Sequence, residues 1–324
     1  MSFTPRFAWH NGEIVPWDDC VVHVRTQGAF WGANVFEGVR AYWQADEAQL
    51  RLFRLQDHLD RLHRSMKCIA MPCRYPDEEI RSGCEALLRA NEVTGDAHVC
   101  IVGYFGMGPN FDPLCYTEDA GLHITAIPAP RSPRFHVGAA ACISSWRRIS
   151  DDTMPPRIKT GANYHNSRLA QHEAIRNGYD TCLITNQRGT VSEAPGACFV
   201  MVRDGRLITP PGTSGVLEGI TLATIETLAH DTLGVDLERR EIDRTELYLA
   251  DELFLCGTLA EITPITTVDR IVVGSGQLGA MTKRLQAAFE ATVRGTDNSA
   301  WSTSVYAASE RQARKVDDAV EQIV

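Results

Sequence analysis

The lysine at position 159 is the first residue whose type and setting suggest chemistry. It lies in the segment 157–164, RIKTGANY, beside small residues at the end of an apolar stretch. Lysine occurs elsewhere only at positions 67, 283 and 315, so 28 of the 32 basic residues are arginine. In a partly apolar site a lysine loses solvation of its ammonium form, and the free amine attacks carbonyl groups. Lys159 is therefore a Schiff-base candidate, with a solvated surface lysine as the alternative.

A single acid, Glu193, precedes a turn and an apolar run in the segment 190–200, TVSEAPGACFV. A buried carboxylate has to be paired, and a protonated ring nitrogen of a cofactor is one such partner. A helix cap or a surface acid is the alternative explanation for this residue.

A glycine-rich segment, 212–221 (GTSGVLEGIT), leads directly into the helical pattern of residues 222–228. Backbone N–H groups without helical partners converge at a helix N-terminus, where the helix dipole also favours an anion. The segment lacks the G-K-[ST] ending of a P-loop and the strand-adjacent G-x-G-x-x-G of a dinucleotide site. It predicts a phosphate cradle, with an ordinary capped helix as the alternative.

These three segments agree on one cofactor. An amine for an aldehyde, an acid for a ring nitrogen and a helix N-terminus for a phosphate together predict pyridoxal phosphate. The chain also resembles the class IV (fold type IV) pyridoxal-phosphate aminotransferases, most closely the branched-chain amino acid aminotransferases, over about residues 7–289. The segments that carry the resemblance are 35–42 (VFEGVRAY), 59–62 (LDRL), 159–160 with Tyr164, 178–180 (GYD), 192–194 (SEA), 217–221 (LEGIT) and 257–265 (GTLAEITPI).

The resemblance implies a mixed α/β (α+β) fold with two domains. The first is a small N-terminal α/β sandwich domain, and the second is a larger C-terminal domain with a β-barrel-like core. It also implies a homodimer, or a higher homo-oligomer, whose active sites lie at the subunit interface.

The same resemblance assigns roles to the cofactor site. Lys159 would form the Schiff base and move the proton between the substrate Cα and the cofactor C4′. Glu193 would hold the pyridine nitrogen protonated, Tyr164 would hydrogen-bond the phenolic oxygen of the ring, and Arg61 would bind the phosphate. The other implied cofactor contacts are Leu217, Gly219, Ile220, Thr221 and Thr258.

The implied reaction moves an amino group from an L-amino acid to a 2-oxo acid by a ping-pong mechanism. The donor would carry a branched-chain or other bulky apolar side chain. The implied substrate contacts are Trp31, Phe36, Gly38, Arg40, Met107, Thr258 and Leu259.

Three alternatives stay open, because branched-chain enzymes typically carry an arginine near Cys100, where this strand has the sequence AHVCIVG (97–103). They are an (R)-selective amine or D-amino acid transaminase, a 4-amino-4-deoxychorismate lyase and a non-catalytic binding module. Phe36 and Gly38 argue against the first, and the apolar surroundings of Phe36 and Met107 argue against the second. The presence of Lys159 together with Glu193, Arg61 and Tyr164 argues against the third.

Composition limits the class of protein. The 324 residues are 44% hydrophobic and 23% charged, as in an ordinary globular chain with a net charge of −9. The negative charge disfavours nucleic acid and anionic membrane surfaces as partners. The first residues lack the features of a signal peptide, so we expect a cytoplasmic protein. Ten cysteines without a C-x-x-C pair predict neither a metal site nor a disulfide framework.

Local patterns predict the elements that position these residues. An Asn-Gly pair between apolar runs predicts a β-hairpin over 7–16. Apolar residues at steps of three and four predict helices from 55 to 69, after Pro76, over 164–177 and over 221–233. Strands are predicted at 137–145, 181–185, 197–202 and 252–256, without a clear sign of a repeated βαβ unit.

Three prolines within 127–135 (IPAPRSPRF) predict a domain boundary. The predicted organisation is a small domain at 1–128, a linker at 129–135, a large cofactor-binding domain at 136–297 and a C-terminal tail at 298–324. A helix predicted over 306–323 would either pack on a neighbouring subunit or form a loosely docked terminus.

Overall fold

The structure is a computed structural model that describes residues 3–112, 114–295, 300–312 and 314. The chain divides into two compact units, which we call the N-terminal unit (residues up to Pro130 and from Thr292) and the central unit (Arg131–Ala291). The domain boundaries expected from the sequence, near 128 and 136, stay a prediction. None of the helices in the described ranges is long and apolar enough to cross a membrane.

Strands and helices occur in both units. The strands are β1 (Phe7–His10), β2 (Glu13–Pro16), β3 (Asn34–Gln44), β4 (Gln49–Phe53), β5 (Ala97–Phe105), β6 (Ala120–Pro128), β7 (Ala139–Arg147), β8 (Thr181–Thr185), β9 (Val191–Glu193), β10 (Cys198–Arg203), β11 (Arg206–Thr209), β12 (Leu237–Arg239), β13 (Glu252–Gly257), β14 (Glu261–Val268), β15 (Ile271–Val272) and β16 (Ser302–Ser304). The helices are α1 (Gln27–Phe30), α2 (Leu55–Cys68), α3 (Asp77–Ala90), α4 (Arg134–Val137), α5 (Tyr164–Arg176), α6 (Ile220–Leu228) and α7 (Ala280–Arg294).

The N-terminal unit is built on an antiparallel sheet of seven strands in the order β16-β4-β3-β5-β6-β1-β2. Helix α2 contacts β3, and α3 contacts β1 and β6. Val35 and Val39 of β3 and Val99 and Ile101 of β5 are fully buried. Because residues two apart on a strand share a face, these side chains form the core of the unit.

The predicted hairpin and first helix are confirmed. Strands β1 and β2 pair antiparallel, and the turn between them has Asn11 at φ 51° and Gly12 at φ 102°. Two residues with positive φ are what a tight type I′ hairpin turn requires. In α2, Leu55, Leu59 and Leu62 are buried, as the apolar spacing predicts.

The central unit has a nine-stranded sheet in the order β12-β11-β10-β13-β14-β7-β8-β9, with β15 paired to β14. Two βαβ crossovers occur in it, which the sequence did not indicate: β7–α5–β8 and β11–α6–β12, each joining parallel neighbours. Strand β12 has only three residues, too few for a recognisable pattern. Phe199, Met201, Leu253 and Ile265 are among the buried residues that form the core.

The other predicted elements of this unit are confirmed within a few residues. The predicted strands correspond to β7, β8, β10 and β13, and the helix predicted over 164–177 is α5. The pattern at 221–233 is α6 followed by a π-helical turn at Ala229–Leu233.

The described part of the predicted tail belongs to the N-terminal sheet. Strand β16 pairs antiparallel with β4. Val305 and Tyr306 are buried, and the Oη of Tyr306 donates to the carbonyl of Val93 at 2.6 Å. Of the helix predicted over 306–323, residues 308–312 are helical, whereas 313 and 315–323 lie outside the described residues.

Candidate active site

Lys159 lies in the turn that leads into α5. Its neighbours Ile158 and Thr160 are buried, and Lys159 itself is half-buried. The Nζ donates a hydrogen bond to the Oη of Tyr164 at 2.8 Å and lies 5.3 Å from the centre of that ring. The lysine and the tyrosine predicted to serve one cofactor are therefore in contact.

The buried side chain of Asn163 holds this turn in place. Its Nδ2 donates to the carbonyls of Pro155 at 2.9 Å and of Ile158 at 3.0 Å. Sequence reasoning missed Asn163, because an asparagine two residues after a glycine is an ordinary turn residue.

Glu193 is the last residue of β9, and only 5% of it is exposed. Its Oε2 accepts a hydrogen bond from the main-chain N–H of Leu217 at 2.9 Å. Its Oε1 lies 2.6 Å from the Nη2 of Arg148. Since a buried carboxylate without a partner is costly, the guanidinium makes an ionised acid tolerable at this position.

Arg148 ties Glu193 to two other parts of the central unit. The Nε donates to the carbonyl of Gly215 at 3.1 Å, and the Nη1 donates to the Oγ of Ser167 on α5 at 3.3 Å. The arginine is itself buried. Sequence reasoning missed it, since nothing distinguishes it from the other 27 arginines.

The predicted phosphate cradle is the N-terminus of α6. Gly219 is the N-cap residue and has no side chain that could cap this end, and the first turn contains no acidic residue. A Cβ on Gly219 would lie 2.5 Å from the Sγ of Cys198, so the close approach of β10 requires glycine. The main-chain N–H groups at a helix N-terminus are the kind of donor that binds phosphate.

Thr258 and Leu259 follow the end of β13. At Gly257, just before them, a Cβ would lie 3.3 Å from the carbonyl oxygen of Gly196, so this turn approaches the one that follows Glu193. Thr258 is half-buried, whereas Leu259 is 52% exposed.

The central unit carries the kinds of group that pyridoxal phosphate needs. Lys159 offers an amine beside a hydroxyl, Glu193 offers a buried carboxylate held by a guanidinium, and α6 offers the main chain of its N-terminus. This donor set fits an aldehyde, a basic ring nitrogen and a phosphate. The role of each residue stays a prediction.

Arg61, the predicted phosphate ligand, belongs to the N-terminal unit. It is buried on α2, with its Nε and Nη2 each 2.7 Å from an oxygen of Glu37 on β3. The Nδ1 of His58 also lies 2.7 Å from that carboxylate. Burial alone would raise the pKa of Glu37, but hydrogen bonds from Arg61 and His58 outweigh it and lower the pKa to about 2.

Glu37 and His58 were missed by the sequence analysis. An acid between the apolar strand residues Val35 and Val39 was the available signal, because a charged residue on the buried face of a strand needs a partner. The partner itself, on a helix about twenty residues later, was not evident from the pattern.

Three predicted substrate contacts, Phe36, Gly38 and Arg40, share one face of β3 because they are two residues apart. A Cβ on Gly38 would lie 2.4 Å from the Nε2 of His98, so the imidazole occupies the space of a side chain there. Arg40 is buried, and its Nη2 donates to the carbonyl of Ala129 at 2.8 Å.

Trp31 and Met107 lie in neighbouring loops of the N-terminal unit. Trp31 follows α1 and is 52% exposed, and Met107 follows β5 and is half-buried. The N–H of Gln27 donates to the carbonyl of Gly106 at 2.9 Å and joins the two loops.

Comparison with known proteins identifies the family. The family model described as "Amino-transferase class IV" matches residues 34–268. The branched-chain-amino-acid aminotransferase of Escherichia coli (strain K12) is 38% identical over 301 residues, 91% of this chain and 95% of that relative.

Solved structures confirm the expected fold type IV. The branched-chain amino acid aminotransferase from Thermobaculum terrenum in its PLP form is 42% identical with a TM-score of 0.87, covering 94% of this chain and 99% of that one. The T.th. branched-chain amino acid aminotransferase complexed with N-(5'-phosphopyridoxyl)-L-glutamate is 31% identical with a TM-score of 0.87, covering 94% and 100%. The chain therefore belongs to the class IV aminotransferases and is a pyridoxal-phosphate-dependent enzyme.

Proposed function

We propose that this enzyme transfers an amino group from an L-amino acid with a branched-chain or other bulky apolar side chain to a 2-oxo acid, in two half-reactions. The observation that carries the proposal is the pairing in the central unit of Lys159 with Tyr164 and of the buried Glu193 with Arg148. The substrate class is supported by the relatives named above, which are branched-chain amino acid aminotransferases.

In this proposal Lys159 transfers the proton of the substrate Cα. Pyridoxal phosphate, when bound, supplies an aldehyde carbon and a ring that accepts electrons. The Nζ of Lys159 would hold that carbon between turnovers. In the first half-reaction it would take the proton from the donor Cα and pass it to C4′ of the cofactor, and in the second it would return a proton from C4′ to the Cα of the new amino acid. Tyr164 orients the Nζ through their hydrogen bond of 2.8 Å.

Other residues hold the ring and the phosphate. We assign the ring nitrogen to Glu193, whose carboxylate is kept ionised and fixed by Arg148 and by the main chain of Leu217. Leu217 also packs against the ring. The phosphate is assigned to Arg61 and to the N-terminal end of α6 with the turn after β13, through Gly219, Ile220, Thr221 and Thr258.

The substrate side chain is assigned to apolar residues: Trp31, Phe36, Met107 and Leu259. The α-carboxylate is assigned to the main chain around Gly38, to Arg40 and to the amides of Thr258 and Leu259. The phosphopyridoxyl-L-glutamate bound by the T.th. relative supports glutamate as one amino donor here.

A homodimer completes the proposal. Five large side chains are exposed on neighbouring loops of the N-terminal unit: Phe30, Trp31, Phe111, Leu114 and Tyr116. Exposed apolar patches of this kind mark interaction surfaces. We assign this patch to a second copy of the chain, and sedimentation of the purified enzyme measures whether it is dimeric.

A donor screen tests the substrate class. The enzyme loaded with pyridoxal phosphate is mixed separately with L-leucine, L-valine, L-glutamate, D-alanine and (R)-1-phenylethylamine, and the visible absorbance of the bound cofactor is followed. We expect rapid change with the three L-amino acids. Rapid change with only D-alanine or the amine would overturn the substrate class and leave the cofactor assignment intact.

Substitution of the lysine tests the chemistry. Lys159→Ala should abolish both half-reactions, because no other group is assigned to the proton on the substrate Cα. Lys283→Ala, which changes an exposed lysine on α7, is the matched control and should react like the parent enzyme. Half-reaction rates that survive the change at 159 show that the assignment is wrong.

A further inference from the structure

Glu37 is a charged side chain in a place where an apolar one would be expected. It is 0% exposed and lies between β3 and α2 among residues such as Val35, Val39 and Leu59. Replacing a buried ion pair by well-packed apolar residues is often neutral or stabilising. The contribution of Glu37 to the stability of the core therefore does not explain why an acid occupies this position.

The geometry around Glu37 fixes an arginine. Both oxygens of the carboxylate accept from Arg61, one from the Nε and one from the Nη2, each at 2.7 Å. This side-on, bidentate contact sets the plane and the direction of the guanidinium. A single hydrogen bond would leave the guanidinium free to rotate.

His58 fixes the carboxylate in turn. It lies one helical turn before Arg61 on α2, so the two side chains lie on the same side of the helix. Its Nδ1 lies 2.7 Å from Oε2 of Glu37, and it must donate, because an ionised carboxylate only accepts. The hydrogen bonds from Arg61 and His58 keep Glu37 ionised at neutral pH.

We propose that Glu37, supported by His58, is a positioning residue that holds the guanidinium of Arg61 in the orientation that binds the phosphate of the cofactor. This inference rests on the proposed assignment of the phosphate to Arg61. Glu37 touches neither the cofactor nor the substrate in this scheme, and it acts only through the arginine.

The test compares two ligands that differ by one group. Dissociation constants for pyridoxal phosphate and for pyridoxal, which lacks the phosphate, are measured by absorbance titration of the full-length apoenzyme. For Glu37→Gln we expect pyridoxal phosphate to bind about 10-fold more weakly and pyridoxal within about 2-fold of the parent. For Arg61→Met the loss for pyridoxal phosphate should be larger, about 100-fold, again with little change for pyridoxal.

A double variant and a control sharpen the test. Glu37→Gln combined with Arg61→Met should bind pyridoxal phosphate no more weakly than Arg61→Met alone, because Glu37 acts through the arginine. Asp96→Asn is the matched control: it disrupts a bidentate pair with Arg294 in the same unit, at 2.7 and 2.6 Å. It should leave the ratio of the two dissociation constants unchanged.

Each outcome has one meaning. If Glu37→Gln weakens both ligands equally, the acid is structural and the inference is wrong. If Arg61→Met preserves the preference for the phosphorylated ligand, the phosphate assignment under the proposed function fails. If Arg61→Met loses that preference and Glu37→Gln keeps it, only the inference fails. Should the glutamine variant not fold, Glu37→Asp retains the charge on a shorter side chain, and it should lose part of the same preference.

Discussion

Two buried carboxylates, Glu193 in the central unit and Glu37 in the N-terminal unit, are paired with arginines in opposite ways. Glu193 gives one oxygen to Arg148 and the other to the main chain of Leu217. Glu37 gives both oxygens to Arg61, and His58 contacts one of them as well.

The partners of each arginine explain the difference. Arg148 distributes its three nitrogens over Glu193, Gly215 and Ser167, so it is tied to the protein and the acid is the group that it holds. Arg61 uses two nitrogens on a single carboxylate, so here the acid orients the arginine. Under the proposed roles, the arginine holds the acid in the central unit, whereas the acid holds the arginine in the N-terminal unit.

Arg148→Met should have the largest effect among the changes that test this comparison. Without the guanidinium, Glu193 is a buried acid that lacks its cation, and kcat should fall about 10- to 100-fold. The free energy of unfolding should fall by about 3 kcal/mol. Arg148→Lys keeps the charge but not the fork of donors, and it should retain more activity. Steady-state kinetics give kcat and KM separately, and urea unfolding gives the stability.

The matched control is Arg294→Met, which breaks the bidentate pair with Asp96 in the N-terminal unit. It should lose stability without a comparable fall in kcat. If Arg148→Met lost stability and kept its kcat, Glu193 would not depend on Arg148, and the contrast between the two pairs would disappear.

Gly219→Ala should have the next largest effect, in this case on cofactor affinity. The main chain at Gly219, where α6 begins, lies close to Cys198 on β10. The new Cβ would lie 2.5 Å from the Sγ of Cys198. Overpacking of this kind costs about 1–3 kcal/mol. Because the strain falls on the end of α6 to which the phosphate is assigned, the dissociation constant for pyridoxal phosphate should rise about 10-fold. Cys198→Ala combined with Gly219→Ala should recover the affinity, and Cys198→Ala alone is the control. Unchanged affinity in Gly219→Ala would show that the cradle tolerates a side chain.

The sequence predicted those parts of the fold that depend on local patterns. The hairpin at Asn11–Gly12 and helix α2 follow from turn chemistry and from apolar spacing. The parallel pairing of β7 with β8 and of β11 with β12 did not follow, since pairing between short strands depends on contacts distant in the sequence. For the same reason the attachment of β16 to β4 was not foreseen.

The candidate site shows the same limit. Lys159, Glu193 and the segment before α6 stand out because a rare residue, a lone acid and a glycine-rich run are visible in the sequence itself. Arg148 and Glu37 act through partners elsewhere in the chain. Arg148 has no local signature, and the apolar neighbours of Glu37 indicate only that the acid needs a partner, not which one. Residues that present a chemical group were thus predictable, whereas those that hold that group in position required the structure.

The smallest expected effect concerns pH and compares Glu37 with a second buried titratable group of the N-terminal unit, His123. Burial, with a smaller contribution from His10, lowers the pKa of His123 in the N-terminal unit to about 4. Since the unfolded chain binds this proton nearer pH 6.5, the stability due to the neutral imidazole is present above about 6.5 and is lost as the pH falls toward 4. Glu37, with its pKa lowered to about 2, loses its contribution to the free energy of unfolding only below about pH 4.5, so it adds no pH dependence between pH 7 and 5.

His123→Asn should therefore reduce the loss of unfolding free energy between pH 7 and 5 by about 1 kcal/mol, allowing for partial exposure to solvent. Urea unfolding at the two pH values measures this, with His23→Asn, an exposed histidine of the same unit, as the control. If His123→Asn and the parent lost the same unfolding free energy between pH 7 and 5, His123 would not be the cause of the acid sensitivity.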